Sequence, residues 1–210
     1  MARKTNHRKG KGKKVYSIIV DGETEVWYFQ MMKRHEKLLS RVDIKPELPK
    51  KKRLSEQFKL VKENAKIYDE VIWLIDFDTI IKEEQEFKGN GESPIQELER
   101  YIKAFFNNKK VHLLVNMPCL EFWYLLHFEA TGRYFSQCET ATSSLKKHVS
   151  DYQKSQKYYT KRDNDIYKKL LPFQAKAITN ATKLGEFTLE NPKTAKAEIY
   201  QVFQLLGISK

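Results

Sequence analysis

Cysteine is nearly absent from this chain: Cys119 and Cys138 are the only two among 210 residues. Two cysteines make neither a disulfide framework nor a metal-ligand spacing, and they predict a reduced, cytoplasmic setting. No apolar run approaches the ~18 residues that cross a bilayer, so no membrane partner is expected. A secretory leader is not expected either, because the basic N-terminus runs straight into a short apolar segment. Missing as well are a Walker-type phosphate loop, GxGxxG, a GxSxG elbow, HExxH and a cysteine with a histidine in a recognisable catalytic pattern. No repeat or low-complexity segment occurs outside the N-terminal tail.

Positive charge is abundant. The net charge is +12, with 40% hydrophobic and 12% aromatic residues, which describes a folded protein with a polyanionic partner. The first 14 residues carry seven Lys/Arg and no acid, so the remainder is only modestly basic. Residues 1–14 are expected to form a basic disordered tail, either an electrostatic arm for nucleic acid or a solvated terminus.

Residues 15–130 alternate strand and helix. Val15–Val20 and Val71–Ile75 are apolar and β-branched, as buried strands are. Val42–Leu48, with Pro46, suits an edge strand, and Val111–Val115 is a further strand. Helical spacing marks Glu23–Leu39 and Leu54–Tyr68, and Ser93-Pro94 starts another helix that runs to about Phe106. Asp76–Glu92 reads as a long acidic loop, and Asn116-Met117-Pro118 opens a helix holding Glu121. Residues 131–210 are expected to be helical throughout (Ala141–Ser150, Asp163–Leu184, Pro192–Leu206) and to pack on the first part. The fold class is therefore α/β, a mostly parallel sheet of about four strands flanked by helices, with a helical C-terminal subdomain.

Acidic clusters follow two of the apolar strands: Asp21-Gly22-Glu23-Thr24-Glu25 and Asp76-Phe77-Asp78. Residues just past the carboxyl ends of parallel strands share one crevice. Carboxylates crowded there need a cation, and hard oxygen donors suit Mg²⁺ or Mn²⁺ with phosphate oxygens. Asp76 and Asp78 are metal-ligand candidates; helix capping explains one acid but not both. Asp21 ends its strand and is a ligand or general base. Glu23 and Glu25 also suit the positive end of a helix dipole, Gly22 the tight turn and Thr24 a local cap. Glu121 is a third contributor or a second dipole partner, and Asn116 caps its helix or offers its amide to substrate. His127 reads as a packed core histidine, and Trp27, Tyr28, Phe29, Phe122, Trp123 and Tyr124 as core. Lys50-Lys51-Lys52-Arg53 is a phosphate contact or a solvated helix start. Lys157, Lys161 and Arg162, interleaved with Tyr158 and Tyr159, have the basic-aromatic mix of single-strand binding.

Ile18-Ile19-Val20-Asp21-Gly22-Glu23-Thr24-Glu25-x-x-Tyr28-Phe29, Asp76-x-Asp78 and Asn116-x-Pro118-x-x-Glu121-x-Trp123-x-Leu125-Leu126-His127-Phe128 together resemble the RloB-like family. Tyr167-x-x-Leu170, Ala177-x-x-x-Ala181 and Asn191-Pro192-x-Thr194 look like its later motifs. The resemblance implies a Rossmannoid, Toprim-like catalytic domain related to OLD-type defence nucleases, and phage-defence or abortive-infection loci often shared with an ATPase. It puts Asp21-Gly22 in the Toprim Glu-Gly place, one methylene shorter, and Asp76 and Asp78 in the Asp-x-Asp place; Glu25 matches a second acid of related nucleases. The implied activity is divalent-metal-dependent hydrolysis of RNA or DNA. Asp21, Asp76, Asp78 and Glu121 would hold Mg²⁺ or Mn²⁺, Glu25 would join the catalytic set, and Asn116, Lys161 and Arg162 would contact phosphate. Two other readings are a non-catalytic module that binds nucleic acid or an ATPase through a degenerate site, and phosphoryl transfer on a small nucleotide.

Overall fold

The computed structural model describes residues 13–36, 42–49 and 53–208. Its centre is a five-stranded sheet in the order β2-β1-β3-β4-β5. The strands are β1 (Lys14–Ile19), β2 (Val42–Glu47), β3 (Glu70–Asp76), β4 (Val111–Met117) and β5 (Lys196–Ala197). β1 runs parallel to β2 and β3, β3 parallel to β4, and only β5 is antiparallel, pairing Asn116 with Ala197. The chain lays β2 on one side of β1 and β3 on the other. The loops leaving β1 and β3 therefore diverge, and a crevice opens between their carboxyl ends.

Alternation along the strands divides the core. Tyr16 and Ile18 of β1 with Ile72 and Leu74 of β3 face α1 (Glu23–His35) and α5 (Leu120–Leu126). That core runs without a break into the C-terminal helices α6 (Cys138–Leu145), α7 (Gln156–Tyr159), α8 (Ile166–Leu170), α9 (Gln174–Thr182) and α10 (Tyr200–Leu205), through Leu145, Tyr159, Tyr167, Ala177 and Phe203. The opposite face, with Ile19, Val71, Trp73 and Ile75, is covered by α2 (Leu54–Ile67), α3 (Phe77–Glu86) and α4 (Pro94–Phe105). Ser17 also points this way and accepts a 2.9 Å bond from Asn64 of α2. Trp27 is partly buried, and the other five aromatics read as core are fully buried. His127 is a packed core residue, its Nδ1 2.9 Å from the Trp123 carbonyl and its pKa lowered to about 4 by burial.

Several elements differ from the sequence-based expectation. Asp76–Glu92 is not an irregular loop, since Phe77, Ile80 and Ile81 at helical spacing bring Phe77–Glu86 down on the sheet as α3. The helix expected over Asp163–Leu184 breaks into α8, a 3₁₀ turn at Leu171–Phe173 containing Pro172, and α9, as proline requires. The one over Ala141–Ser150 is α6, three residues earlier at its start. Pro192–Leu206 is not one helix either: it gives a short strand, then α10. No strand was expected past Ala130. β5 forms because the buried Glu198 carboxylate accepts the backbone N–H of Val115 and of Phe187 (2.7 and 2.6 Å), fixing this segment to the sheet edge. β4 continues through Asn116 to Met117, ahead of a cis Met117–Pro118 bond. Ser93 caps α4 in a reciprocal capping box with Gln96. Of the expected tail, residues 1–12 lie outside the described residues, whereas Lys14 already belongs to β1 and pairs with Glu70. Lys50–Lys52 also lie outside them, and Arg53 is the residue preceding α2.

Candidate metal centre

Two strand ends and the starts of several helices build the pocket. β1 ends at Ile19, Val20 after it is still buried, and Asp21 emerges half-buried at the crevice. Asp76 is the last residue of β3, 9% exposed, and the first turn of α1 supplies Glu25, 3% exposed. One ligand oxygen from each of Asp21, Glu25 and Asp76 lies within 4.8 Å of the others. Asp78, Glu121, Gln57 and Lys154 share the same cavity of about 330 Å³.

Gly22 makes the approach of Glu25 possible. Its backbone is ordinary extended chain (φ −132°, ψ 156°), so the tight turn expected there is not what calls for glycine. Space does: a β-carbon at this position would lie 2.2 Å from Glu25 Oε2. Thr24 does not cap α1; its hydroxyl donates to Glu25 Oε2 at 3.0 Å. Asn116, adjacent to Asp76 in the β3–β4 register, donates from Nδ2 to Asp76 Oδ1 (3.3 Å) rather than capping α5. Its buried Oδ1 has no hydrogen-bond partner among the described residues.

Packing acids in a desolvated pocket raises their proton affinity. Burial, then the charge of Asp21, pushes Glu25 up to about 8. Burial and the charges of Asp21, Glu25, Asp78 and Glu121 push Asp76 well above the usual carboxylate range. Asp78 rises to about 6 through burial, which outweighs the lowering effect of the backbone N–H groups of Cys138 and Thr79. Asp78 lies on the pocket wall and is not one of the three converging acids.

Glu121, in the first turn of α5 and 1% exposed, is held by groups remote in sequence. Its Oε1 accepts from Tyr152 Oη at 2.6 Å and pairs with Lys154 Nζ at 2.9 Å. Lys154 is the one cation lining the cavity among the described residues. Burial lowers its pKa and the charges of Glu121, Glu25 and Asp76 raise it, with a net rise. Sequence reasoning missed both residues, which sit in an irregular segment with no motif. Lys161 and Arg162 are exposed and do not line this cavity; Arg162 lies 3.7 Å from Asp163. Tyr159 of the basic-aromatic segment is core.

The cysteines correct the sequence expectation. Cys119 and Cys138 are joined as a disulfide in the pocket wall. They lie 19 positions apart in the chain, and the packing of the start of α6 against the start of α5 brings them together.

An open, mostly parallel Rossmannoid sheet with a carboxylate-lined crevice at its switch point defines the class of this protein. The chain belongs to the RloB-like protein family, whose sequence model it matches over residues 16–206. No curated protein matches it. No solved structure does either. Among the described residues no helix is long and apolar enough to cross a membrane.

Proposed function

We propose that this protein is a Mg²⁺- or Mn²⁺-dependent nuclease that hydrolyses phosphodiesters of RNA or DNA in antiphage defence, working with an ATPase partner in the cytoplasm. The observation that carries this reading is the convergence of Asp21, Glu25 and Asp76 at the β1/β3 switch point. The donor chemistry fits a hard divalent cation: three carboxylates within reach of one another, beside the partnerless buried Asn116 Oδ1, give oxygen donors only. Burial and mutual repulsion raise the proton affinity of Glu25 and Asp76, an imbalance of negative charge that a divalent cation would relieve.

A bound divalent ion would supply charge neutralisation for the phosphodiester and acidify a water. Asp21, Glu25 and Asp76 would hold it, with Asn116 orienting Asp76 from the adjacent strand. Asp78, with a pKa of about 6 at the cavity wall, suits the role of proton acceptor near neutral pH. Lys154 faces the same cavity and is placed to attract a phosphate oxygen, while Glu121 and Tyr152 fix its position. Lys161 and Arg162 would contribute only to a nucleic-acid path outside the cavity.

Purified protein would be incubated with tRNA, single-stranded DNA and duplex DNA in Mn²⁺, Mg²⁺ or EDTA, beside Asp76→Ala. Cleavage that needs the divalent ion and disappears in the variant is the expected result. Equal cleavage by variant and wild type would sink the assignment of the site.

A further inference from the structure

Four groups meet at one corner of the cavity, Cys119 opening α5, Cys138 opening α6, Glu121 and Lys154, and Tyr152 is hydrogen-bonded to Glu121 there. Glu121 Oε1 is satisfied by Tyr152 and Lys154, but Oε2 lies 3.1 Å from Cys119 Sγ and 2.9 Å from Cys138 Sγ. Sulfurs joined to one another carry no hydrogen, so neither donates to that oxygen. As free thiols at the same positions, both would. The oxidation state of the pair therefore decides whether this buried carboxylate oxygen, on the cavity wall, has hydrogen-bond donors beside it. The bond also bears on Asp78, whose proton affinity the backbone N–H of Cys138 lowers and which lines the cavity beside Cys138. The cross-link ties the start of α6, next to Asp78 on the cavity wall, to the start of α5.

We propose that Cys119 and Cys138 form a reversible redox pair that tunes the cation affinity of the carboxylate pocket, tight when they are bonded and weaker when they are reduced. Cys119 is buried and Cys138 is partly exposed, so Cys138 is the sulfur open to attack. A thiolate of a dithiol reductant bonds to Cys138 Sγ and the Cys119–Cys138 bond breaks. Cys119 leaves with the electron pair and takes a proton from water. The reductant's second thiol, as thiolate, then attacks its own sulfur in the mixed disulfide; Cys138 departs with the electron pair and is protonated. The net change is two electrons and two protons transferred to the protein, with the reductant converted to its disulfide. Lys154 Nζ, 3.4 Å from Cys138 Sγ, stabilises negative charge on that sulfur as it departs.

The consequence for cation binding rests on the metal reading above, whereas the redox pair itself does not. The full chain would be prepared oxidised and after reduction with dithiothreitol, with the state fixed by counting reactive thiols. Mn²⁺ affinity would then be measured by titration, and amide hydrogen exchange followed at residues 119–121 and 136–140. Expected are Mn²⁺ binding ~10-fold tighter in the oxidised form, the scale on which groups behind a ligand act, and faster exchange at the start of α6 on reduction. A Cys119→Ser/Cys138→Ser protein keeps two hydroxyl donors and is expected to bind Mn²⁺ like the reduced form, with or without reductant. Equal Mn²⁺ affinity in both states, or a bond that dithiothreitol opens only after unfolding, would overturn the proposal. If neither state binds Mn²⁺, the metal reading fails by itself. The exchange data then decide the redox pair, and unchanged protection at residues 119–121 and 136–140 refutes it.

Discussion

Gly22 and Glu25 compete for one volume: a β-carbon on Gly22 would stand 2.2 Å from Glu25 Oε2. The glycine is there to let a carboxylate fold back over the start of its own helix and reach the pocket. Because Gly22 has an ordinary extended backbone, Gly22→Ala is expected to fold with nearly unchanged thermal stability. Its Mn²⁺ affinity should fall ~10–100-fold as Glu25 is pushed aside. Titration and a melting curve on the same preparation check both halves, and unchanged affinity would remove Glu25 from the ligand set.

Carboxylates that repel one another destabilise the protein that holds them. Asp76→Asn replaces the most crowded acid with a neutral side chain of the same size. In EDTA at pH 8 the variant should be more stable than wild type by about 1 kcal/mol, seen as a melting temperature ~2–4 °C higher. Nuclease activity and stabilisation by Mn²⁺ should both be lost. A variant less stable in EDTA would mean that Asp76 serves the fold rather than the site.

The same electrostatics set the pH dependence. Glu25, raised to about 8 from a usual 4.5, and Asp76, raised further by burial and its acidic neighbours, hold protons in the folded chain that the unfolded chain has released. Stability without metal therefore falls as pH rises from about 4.5 to about 8. His127, lowered by burial to about 4, works in the opposite direction between about 4 and 6.5. The decline should thus be clearest between pH 6.5 and 8. A divalent ion at a hundredfold excess over its Kd should add about 2.7 kcal/mol there and much less at pH 5, where protons compete for the ligands. Melting temperatures at pH 5, 6.5 and 8, with EDTA or Mn²⁺, test this.

Lys154 and Glu121 form a half-exposed pair in which only the acid is fully buried. Lys154→Ala strands that charge beside Tyr152, and a loss of about 1–2 kcal/mol is expected, between the values for exposed and buried pairs. Lys154→Arg should restore most of the stability and less of the activity, because a forked guanidinium cannot replace a point charge in a narrow cavity. If both variants cleave like wild type, Lys154 is a structural partner only.

Much of this architecture was legible because it depends on periodicity. The apolar runs of β1 and β3, the proline of edge strand β2 and the Ser93-Pro94 helix start are local signals. Asp76 was likewise marked by an apolar run, Val71–Ile75, that carries no charge until its end, and Asp21 by its place at the end of Val15–Val20. What was hidden depends on partners distant in the chain. α3 has a narrow buried face, Phe77 and Ile80, inside an acidic stretch that resembles a loop. β5 is two residues long and exists through Glu198.

Sequence alone therefore determined the alternation of strand and helix, and with it that acids would gather at one edge of a parallel sheet, because these follow from side-chain period and strand direction. Tertiary packing alone decided which acids converge, since Asp21 and Glu25 meet Asp76 across the β1/β3 pairing while Asp78 stays on the cavity wall. It also brought Tyr152 and Lys154 onto Glu121 and joined Cys119 to Cys138. Each of these is a contact between groups whose proximity the packing of α1, α5, α6 and the residues beyond them creates, and local pattern carries no record of it.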